Sequence, residues 1–262
     1  MSSDPAAQFD ERIARKIEAI YLTPDILEQR ARVLELLALR SGERVADLGC
    51  GPGLLAQEMA AKVGEHGAVE CLDFSSSMIA LAQRRCASLG WVNVRSGDVS
   101  ALPYVTDAFD AAVCTQVYEY LRDVGPALRE LYRILRPGGR ALVVDTDWES
   151  CVWDSSDRAR MRHMLDLWDT HCSQPRLPRT LAGMLESAGF RDVRLGVIPL
   201  VNARYCVDTY SYAMIDAIAK YASKLLDADE ARAWAEDLHA RGREGRYFFS
   251  LNRYAFSFRK PG

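Results

Sequence analysis

The chain has 262 residues, 49% of them hydrophobic, and a formal net charge of -3 from 33 Lys and Arg against 36 Asp and Glu. This length predicts one large α/β domain, and the balanced charge argues against a broad basic surface for nucleic acid. No apolar run approaches the length of a membrane span, and the polar first residues do not resemble a signal peptide. Seven scattered cysteines without a CxxC pair predict reduced thiols in a cytoplasmic protein, with no metal site.

The order of the predicted elements favours a parallel sheet with helices on both faces. Residues 7–40 are predicted to be helical, because apolar residues recur there at helical spacing. Five short apolar strands then alternate with helices, near RVADLG, AVECLD, VNVRS, FDAAVC and RALVVD. Strands that alternate with helices in this way are typical of a parallel sheet covered on both faces.

The second half of the chain predicts additions to this sheet rather than a second domain. We expect helices over 155–172 and 178–188, a sixth strand over 190–198, two helices within 207–241 and a last strand over 247–260. The prediction is therefore a single domain over residues 1–262. Its parts are N-terminal helices over 7–40, a core over 42–198 and 247–262, and a helical cap over 199–246.

A glycine-rich turn joins the first predicted strand to the next helix. Gly49, Gly51 and Gly53 lie there, and their missing side chains let the backbone turn sharply and approach a ligand closely. The next helix presents unpaired N–H groups at its N-terminus, on the edge of the sheet where ligands bind in parallel α/β folds. A tight turn alone would explain the same pattern, so the interpretation depends on the residues nearby.

Acidic residues at three successive strand ends indicate what the turn binds. Asp47 precedes the glycines, Asp73 ends the second strand and Asp98 follows the third. A carboxylate at the end of the second strand can accept hydrogen bonds from both hydroxyls of a ribose. Three acids suit an adenosine that carries positive charge and no phosphate, because a phosphate would favour less negative charge. The spacing GxGxG, without a following GK[ST], also differs from the dinucleotide and P-loop motifs.

Residues 42–147 resemble the S-adenosylmethionine-binding core of class I methyltransferases, in the small-molecule group that includes the quinone-biosynthesis enzymes. The segments that carry the resemblance follow one another in family order: VADLGCGPG, VECLDFSSSMIALA, SGDVSALPY, FDAAVCTQVYEYL and LRELYRILRPGGRALVVD. The resemblance implies a doubly wound, Rossmann-like α/β fold, with a mostly parallel seven-stranded sheet and an antiparallel last strand. It also implies an enzyme that uses S-adenosylmethionine to methylate a small organic acceptor at oxygen, nitrogen or carbon.

The resemblance further implies which residues bind the cofactor. Gly49, Gly51 and Gly53 would pass along its methionine part, with Asp47 and Gln116 near the same part. The remaining assignments are Asp73 on the ribose, Phe74 and Met78 beside the adenine, Asp98 and Val99 on the adenine edge, and Tyr21 and Arg30 towards the cofactor carboxylate. A packed tyrosine and a surface arginine are equally compatible with the last two positions.

Residues after the fourth and fifth predicted strands are candidates for the acceptor side. Methyl transfer needs mainly alignment and exclusion of water, so we predict no indispensable base. If the acceptor must lose a proton, Asp145 and Asp147 are the first candidates for a base, followed by His171 and Tyr118. Trp148 is expected to stack on a planar acceptor, and Tyr118 to line its pocket. Turn or capping roles for the aspartates and a structural role for His171 are the alternatives.

The predicted cap and the last strand add candidates for acceptor binding. Tyr205 and Tyr210 are candidates to face an aromatic or apolar acceptor, and Arg253 is a candidate to pair with an acidic group on it. The same tyrosines are compatible with the core of the cap, because a tyrosine there buries a large apolar ring. For Arg253 the alternative is an ion pair at the surface.

Two other functions are compatible with a cofactor core of this kind. One is arsenic methylation, which would use converging thiols such as Cys71, Cys172 and Cys206. The other is a non-catalytic module that binds S-adenosylmethionine. The leading prediction is a methyltransferase whose partner is a small-molecule acceptor rather than nucleic acid, and the sequence carries no signal of oligomeric state.

Overall fold

The computed structural model describes residues 11–262, and residues 7–10 of the predicted helical segment lie outside the described residues. Two helices come first, α1 (Glu11–Tyr21) and α2 (Pro24–Leu37), as the spacing of apolar residues predicts. Val33 and Leu37 of α2 are buried in the apolar layer beneath one face of the sheet. The N-terminal helices are therefore packed onto the sheet and approach its ligand-binding edge.

Seven strands form one sheet. They are β1 (Arg44–Leu48), β2 (Ala68–Asp73), β3 (Val92–Ser96), β4 (Phe109–Thr115), β5 (Leu135–Trp153), β6 (Arg191–Asn202) and β7 (Phe249–Arg259). Their order in the sheet is β3-β2-β1-β4-β5-β7-β6. The first five strands are parallel, and β7 runs antiparallel to both β5 and β6. This confirms the predicted seven-stranded, doubly wound α/β fold with an antiparallel last strand.

Helices cover both faces of the sheet. The remaining helices are α3 (Leu54–Val63), α4 (Ser76–Cys86), α5 (Gly125–Ile134), α6 (Arg158–Asp169), α7 (Pro178–Ser187), α8 (Tyr210–Ala222) and α9 (Ala228–Arg243). One apolar layer holds residues of α2, α3 and α4, and the other holds residues of α5 and α7. Strands β1 and β4 are buried along nearly their whole length, as central parallel strands are.

Strand β5 is much longer than its predicted segment, RALVVD. It extends through Trp153 and stays paired with β7, with Asp147 opposite Asn252 and, after an irregularity, Trp153 opposite Phe249. The polar residues in its second half resemble a turn in sequence. The long-range pairing with β7 and an apolar layer beneath it keep this segment extended instead.

The helical cap, which we define as α8 and α9, packs over the extended half of β5 and β7. Helix α6 joins it, so that Met164, Ile215, Trp234 and Leu251 share one apolar cluster. Residues 199–202, which we predicted to begin the cap, instead pair with β7 as the end of β6. In the part of the chain that the structure describes, no helix is long and apolar enough to cross a membrane.

Candidate functional site

Gly51 is the open point of the turn between β1 and α3. Gly49, Gly51 and Gly53 all have positive φ angles, of 79°, 52° and 77°. A Cβ added to Gly51 would meet no described atom within 4 Å. The backbone at Gly51 therefore borders open space, where a ligand can approach it closely.

The other two glycines of the turn are explained by packing. A Cβ on Gly49 would collide with the side chain of Val117, and one on Gly53 would lie 2.9 Å from Ala82. Ala82 belongs to α4, so Gly53 allows the turn to approach that helix. The position of Gly49 and Gly53 along a cofactor stays a prediction, while their lack of a side chain has this structural cause.

Asp73 shapes the same turn with both of its carboxylate oxygens. Oδ2 accepts a hydrogen bond from the Gly51 N–H at 2.8 Å, and Oδ1 accepts one from the Ser75 N–H at 2.9 Å. A carboxylate oxygen has two lone pairs, so each oxygen can accept a further hydrogen bond. Asp73 thus holds the turn in place and retains the capacity to bind two hydroxyls, as the ribose assignment requires.

Asp47 is a buried carboxylate without a full set of partners. It is 1% exposed, and its Oδ2 has no hydrogen-bond partner among the described residues. Burial, with the charge of Asp73 adding to it, raises the pKa of Asp47 to about 7. A buried, unpartnered carboxylate oxygen beside an open glycine turn suits a cationic ligand. The residues present therefore fit S-adenosylmethionine, which carries an ammonium and a sulfonium.

Cofactor affinity should depend on pH through Asp47. A raised pKa means that the free protein gains stability from the neutral carboxyl, and loses it as pH rises from about 4 to about 7. A bound cation favours the ionised form, so binding below pH 7 should release a proton. We expect affinity to rise by up to about tenfold per pH unit between pH 6 and 7.

Calorimetry between pH 6 and 8, in buffers of different ionisation enthalpy, measures both the cofactor affinity and the number of protons released on binding. Asp47→Asn is the matched variant, because it keeps the shape of the side chain and removes its titration. It should bind more weakly at pH 8 and release fewer protons. Equal proton release by the variant and the unchanged protein would contradict the role given to Asp47.

The predicted adenine side lies at the ends of β2 and β3. Val99 and Met78 are buried, whereas Phe74 is 44% exposed. Asp98 is exposed and its Oδ1 accepts a hydrogen bond from the Ser100 N–H at 2.7 Å. The arrangement gives apolar surface and a carboxylate at one edge, and the adenine contacts of these residues remain a prediction.

Arg30 and Gln116 are two further cofactor candidates, one in helix α2 and one after strand β4. Arg30 donates to Glu58 Oε1 at 2.6 Å and to the Tyr21 carbonyl at 3.0 Å, so it joins α2 to α1 and α3. This places it in a structural network rather than at the surface. Gln116 has a positive φ of 56°, and its N–H donates to the Val144 carbonyl at 2.7 Å.

Tyr21 faces the charged groups at the carboxyl edge of the sheet. Burial raises its pKa, Arg253 opposes that increase, and the charges of Glu119 and Asp73 add to it. The Tyr21 hydroxyl is therefore within reach of the charges of Asp73, which shapes the glycine turn, and of Glu119, which follows β4. Tyr21 therefore connects the predicted cofactor side with the predicted acceptor side.

Two of the predicted bases are corrected by the structure. Asp147 lies within β5, and its carboxylate accepts two hydrogen bonds from Arg179, at 2.9 and 3.1 Å. Both carboxylate oxygens of Asp147 are therefore held by the Arg179 guanidinium, which gives this side chain a structural role. Tyr118 is fully buried in the apolar layer under α5, so it does not line a pocket. The phase of the short 3-10 helix Tyr118–Tyr120 turns this side chain inward.

Asp145 also lies within β5 rather than after it, and it is fully buried. Its Oδ1 accepts a hydrogen bond from the Glu119 N–H at 3.4 Å, and its Oδ2 has no partner in the described part of the chain. Burial and the neighbouring Glu119 hold the pKa of Asp145 well above its usual range. Burial and the neighbouring charge therefore disfavour the ionised form of Asp145, which a base requires.

Glu119 is the functional candidate that we did not predict from the sequence. It is 1% exposed and follows β4, at the same edge as the glycine turn. Its Oε2 accepts a hydrogen bond from the Thr146 N–H at 3.0 Å. Burial raises its pKa to about 7, against the Thr146 hydrogen bond and the charge of Arg253. The sequence did contain a signal for Glu119, because an acidic residue in the YEY segment directly follows a central strand.

Aromatic rings form a cluster beside Glu119. His171 stacks on Trp168 with ring centroids 4.0 Å apart, and Trp148 and Tyr120 present ring edges to it at 4.8 and 5.9 Å. We name these four residues the aromatic cluster. Trp148 is 5% exposed and Tyr120 is 39% exposed, so the cluster extends from the core to the surface. The ring of Tyr120, rather than that of Tyr118, is the one at this surface.

His171 is a neutral member of this cluster. Its Nδ1 lies 2.5 Å from the Trp168 carbonyl oxygen, which can only accept, so Nδ1 carries the proton. Nε2 has no hydrogen-bond partner among the residues described. Burial lowers the pKa of His171 to about 4. Its Nε2 can therefore accept a hydrogen bond from a ligand hydroxyl, but His171 is a weak base at neutral pH.

The candidates from the cap and the last strand lie in two different regions. Tyr205 contacts Tyr212 and Tyr247, and its hydroxyl hydrogen-bonds to His239 Nδ1 at 2.8 Å, which gives it a structural role in the cap. Tyr210 and Arg253 instead lie together, with the guanidinium 4.9 Å from the ring centroid. Arg253 is therefore buried against Tyr210 and does not form the surface ion pair that was the alternative. Its pairing with an acidic acceptor group stays a prediction.

Arg253 is a buried cation at the acceptor side. It is 1% exposed, donates to Gln29 Oε1, and leaves Nε without a partner among the described residues. Its charge lowers the pKa of both Glu119 and Asp145. Arg253 thus supplies positive charge to a group of buried acids without a direct ion pair to them in residues 11–262.

The thiols do not form the converging set that arsenic methylation would use. Cys71 is buried within β2, Cys172 is half-buried after α6, and Cys206 is exposed. Within the described residues, no group of three or more His, Cys, Asp and Glu side chains is arranged to hold a metal ion. The arrangement described so far instead combines an open glycine turn, buried acids and an aromatic cluster along one edge of the sheet.

Comparison with known proteins identifies a methyltransferase family and several similar methyltransferases. The methyltransferase-domain family matches residues 45–139. The chain is 30% identical, over 182 residues, to a ubiquinone/menaquinone biosynthesis C-methyltransferase of Pectobacterium carotovorum, with 61% of this chain and 71% of that protein covered. It is also 38% identical, over 138 residues, to an uncharacterized transposon protein of Streptomyces fradiae, covering 51% of this chain.

Solved structures give the same fold. Phosphoethanolamine N-methyltransferase 2 of Haemonchus contortus, in complex with phosphomonomethylethanolamine and S-adenosylhomocysteine, matches 97% of this chain with a TM-score of 0.65. At 15% identity this likeness shows the fold alone. The match spans 40% of the transposon protein and 58% of the nematode enzyme's chain.

Proposed function

The chain belongs to the class I S-adenosylmethionine-dependent methyltransferases, and from that premise we propose that it methylates a small, planar aromatic acceptor of quinol-like chemistry. The observation that carries the proposal is the aromatic cluster of Tyr120, Trp148, Trp168 and His171, beside a buried carboxyl group. Flat aromatic walls favour a flat, apolar ligand. The similarity to a quinone-biosynthesis C-methyltransferase supports the same class of acceptor.

Different residues along the edge of the sheet would bind the cofactor and orient the acceptor. Gly51 and Asp73 would hold the cofactor, and Asp47 would compensate its positive charge. When bound, S-adenosylmethionine supplies a methyl carbon that is already activated by a sulfonium. The aromatic cluster would orient the ring of the acceptor, and His171 Nε2 would accept a hydrogen bond from one of the hydroxyls of a quinol-like acceptor. Alignment of this kind accounts for a large part of the rate in such a displacement.

The helical cap is part of the proposal as a cover for the acceptor. Tyr210 of α8 lies under Arg253, and both are buried beside Tyr21 at the end of the sheet. The cap therefore closes one side of the acceptor region and excludes water from it. In this proposal residues 1–262 act as one methyltransferase domain with a small-molecule partner.

Turnover on matched acceptors tests the proposal. The protein is incubated with S-adenosylmethionine and either a hydroxylated naphthoquinol, a catechol or an aliphatic amine, and S-adenosylhomocysteine and methylated product are measured. We expect product from the aromatic acceptors and none from the amine. Cofactor binding without product from any aromatic acceptor would support a binding module and contradict the proposal.

Replacement of Tyr120 shows whether the aromatic cluster binds the acceptor. Tyr120→Leu should raise KM for the aromatic acceptor by about tenfold, the scale of one lost aromatic contact, with little change in stability. Phe248→Leu is the matched control, because Phe248 is 43% exposed and does not belong to the aromatic cluster. The same KM for both variants would place the acceptor elsewhere.

A further inference from the structure

Three hydrogen bonds hold Glu119 in place, although no cation in residues 15–262 is paired with it. Its Oε2 accepts from the Thr146 N–H at 3.0 Å, its own N–H donates to Asp145 Oδ1 at 3.4 Å, and its carbonyl accepts from the Gln174 N–H at 2.8 Å. These contacts fix it to β5 and to the segment after α6. No ion pair to Glu119 occurs within residues 15–262.

Other buried or half-buried carboxylates in this chain show what a structural role involves. Asp147 is paired with Arg179 through two hydrogen bonds, and Glu43 receives two from Arg140 at 2.7 and 2.9 Å. Arg253, whose charge lowers the pKa of Glu119, is directed at Gln29 and the Tyr210 ring instead. Glu119 and Asp145 both lack such a pair, and an unpaired buried carboxyl costs stability. This pair of acids at the edge of the glycine turn therefore points to a role in chemistry.

The groups that face Glu119 explain how it can change its protonation state. They come from every element around it and are Asp145 of β5, Arg253 of β7, Tyr21 of α1, Tyr120 of the same 3-10 helix, and Cys172 after α6. Arg253 favours the ionised carboxylate, whereas burial favours the neutral carboxyl. These opposing effects bring the pKa of Glu119 to about 7, while burial and the charge of Glu119 raise the pKa of Asp145 well above its usual range.

We infer that Glu119 is the general base that removes the proton from a hydroxyl of the methyl acceptor, and that Arg253 stabilises the oxyanion left behind. This inference rests on the proposed methylation of an aromatic acceptor. Glu119 follows β4 at the edge of the glycine turn, and Arg253 contributes buried charge from β7. The two groups thus form an acid–base site built from β4, β5 and β7.

The proposed reaction begins at the hydroxyl of the acceptor. The acceptor O–H bond breaks, its electron pair stays on the acceptor and spreads into the ring, and the proton moves to the Glu119 carboxylate. The electron pair of the acceptor then forms the new bond to the methyl carbon, while the carbon–sulfur pair stays on sulfur. If the ring carbon is methylated, its C–H proton is lost afterwards to restore the aromatic ring. Solvent takes the protons after the product leaves.

Glu119→Gln is the direct test, because it keeps the Oε acceptor for Thr146 and removes the base. We expect kcat to fall by about 10²–10⁴, with cofactor affinity by calorimetry unchanged. The unchanged protein should show kcat/KM rising with pH up to about 7, and the variant should lose this dependence. Acceptors that carry electron-withdrawing groups, whose hydroxyls ionise without help, should partly restore turnover of the variant.

Glu43→Gln is the matched control, since it removes a buried glutamate carboxylate that is paired with Arg140 and lies outside the proposed site. It should lower thermal stability and leave the pH profile in place. Equal kcat for Glu119→Gln and the unchanged protein, or a flat profile of the unchanged protein between pH 6 and 8, would overturn the inference alone. Absence of turnover by the unchanged protein on every hydroxylated aromatic would overturn the proposed function and this inference together.

Discussion

Gly51→Val is expected to abolish binding of S-adenosylmethionine while leaving the fold intact. Gly51 has a φ of 52°, and a Cβ there would enter space that no described atom occupies within 4 Å. A valine side chain would fill the region that the cofactor needs. We expect affinity to fall at least about 100-fold, equivalent to about 2.7 kcal/mol.

Gly138→Val separates this steric effect from backbone strain. Gly138 also has a positive φ, of 78°, and open space around its Cβ position, but it lies at the other end of β5, where its N–H donates to the Lys260 carbonyl. Both substitutions place a side chain in the left-handed region at a cost of about 1–2 kcal/mol. Similar melting temperatures with normal binding only for Gly138→Val are expected. Normal binding by Gly51→Val would exclude the turn as the cofactor site.

Asp73→Ala is expected to weaken cofactor binding by about 10–150-fold, or about 1.5–3 kcal/mol. Two effects contribute, because the carboxylate binds the Gly51 and Ser75 N–H groups in addition to the predicted ribose hydroxyls. The substitution would therefore remove ligand contacts and also release the glycine turn. A single affinity measurement does not separate the two.

A double-mutant cycle with two ligands makes that separation. Calorimetry compares S-adenosylhomocysteine with its 2′-deoxy analogue, on the unchanged protein and on Asp73→Ala. The unchanged protein should prefer the ribose ligand, and the variant should lose that preference. If the variant retained the full preference, Asp73 would have only the structural role, and the ribose assignment would be wrong.

The residues proposed to bind the cofactor could be chosen largely from local sequence. A glycine turn after a strand and acids at the next strand ends depend only on where each strand stops, and parallel strands place those ends at one edge. The structure adds what local sequence does not contain. Gly49 and Gly53 are required by Val117 and Ala82, and only Gly51 borders open space.

The acceptor side depends on contacts between distant segments, which is why its prediction was less accurate. The partner of Asp147 is Arg179, 32 residues away, and β5 continues past Asp145 because β7 pairs with it from the far end of the chain. The inward turn of Tyr118 depends on the phase of a single 3-10 helix. Burial of Glu119 depends on the same turn and on β5, so its raised pKa has no local signature in the sequence.

A crystal structure of the protein with S-adenosylhomocysteine tests the central claim most directly. The account predicts the ligand along the turn at Gly51, its ribose hydroxyls on Asp73, its ammonium near Asp47, and its sulfur directed towards Glu119 and the aromatic cluster. Such a complex would place the methyl carbon of the cofactor beside the region assigned to the acceptor. Ligand density away from the turn, or a sulfur directed away from Glu119, would contradict the account.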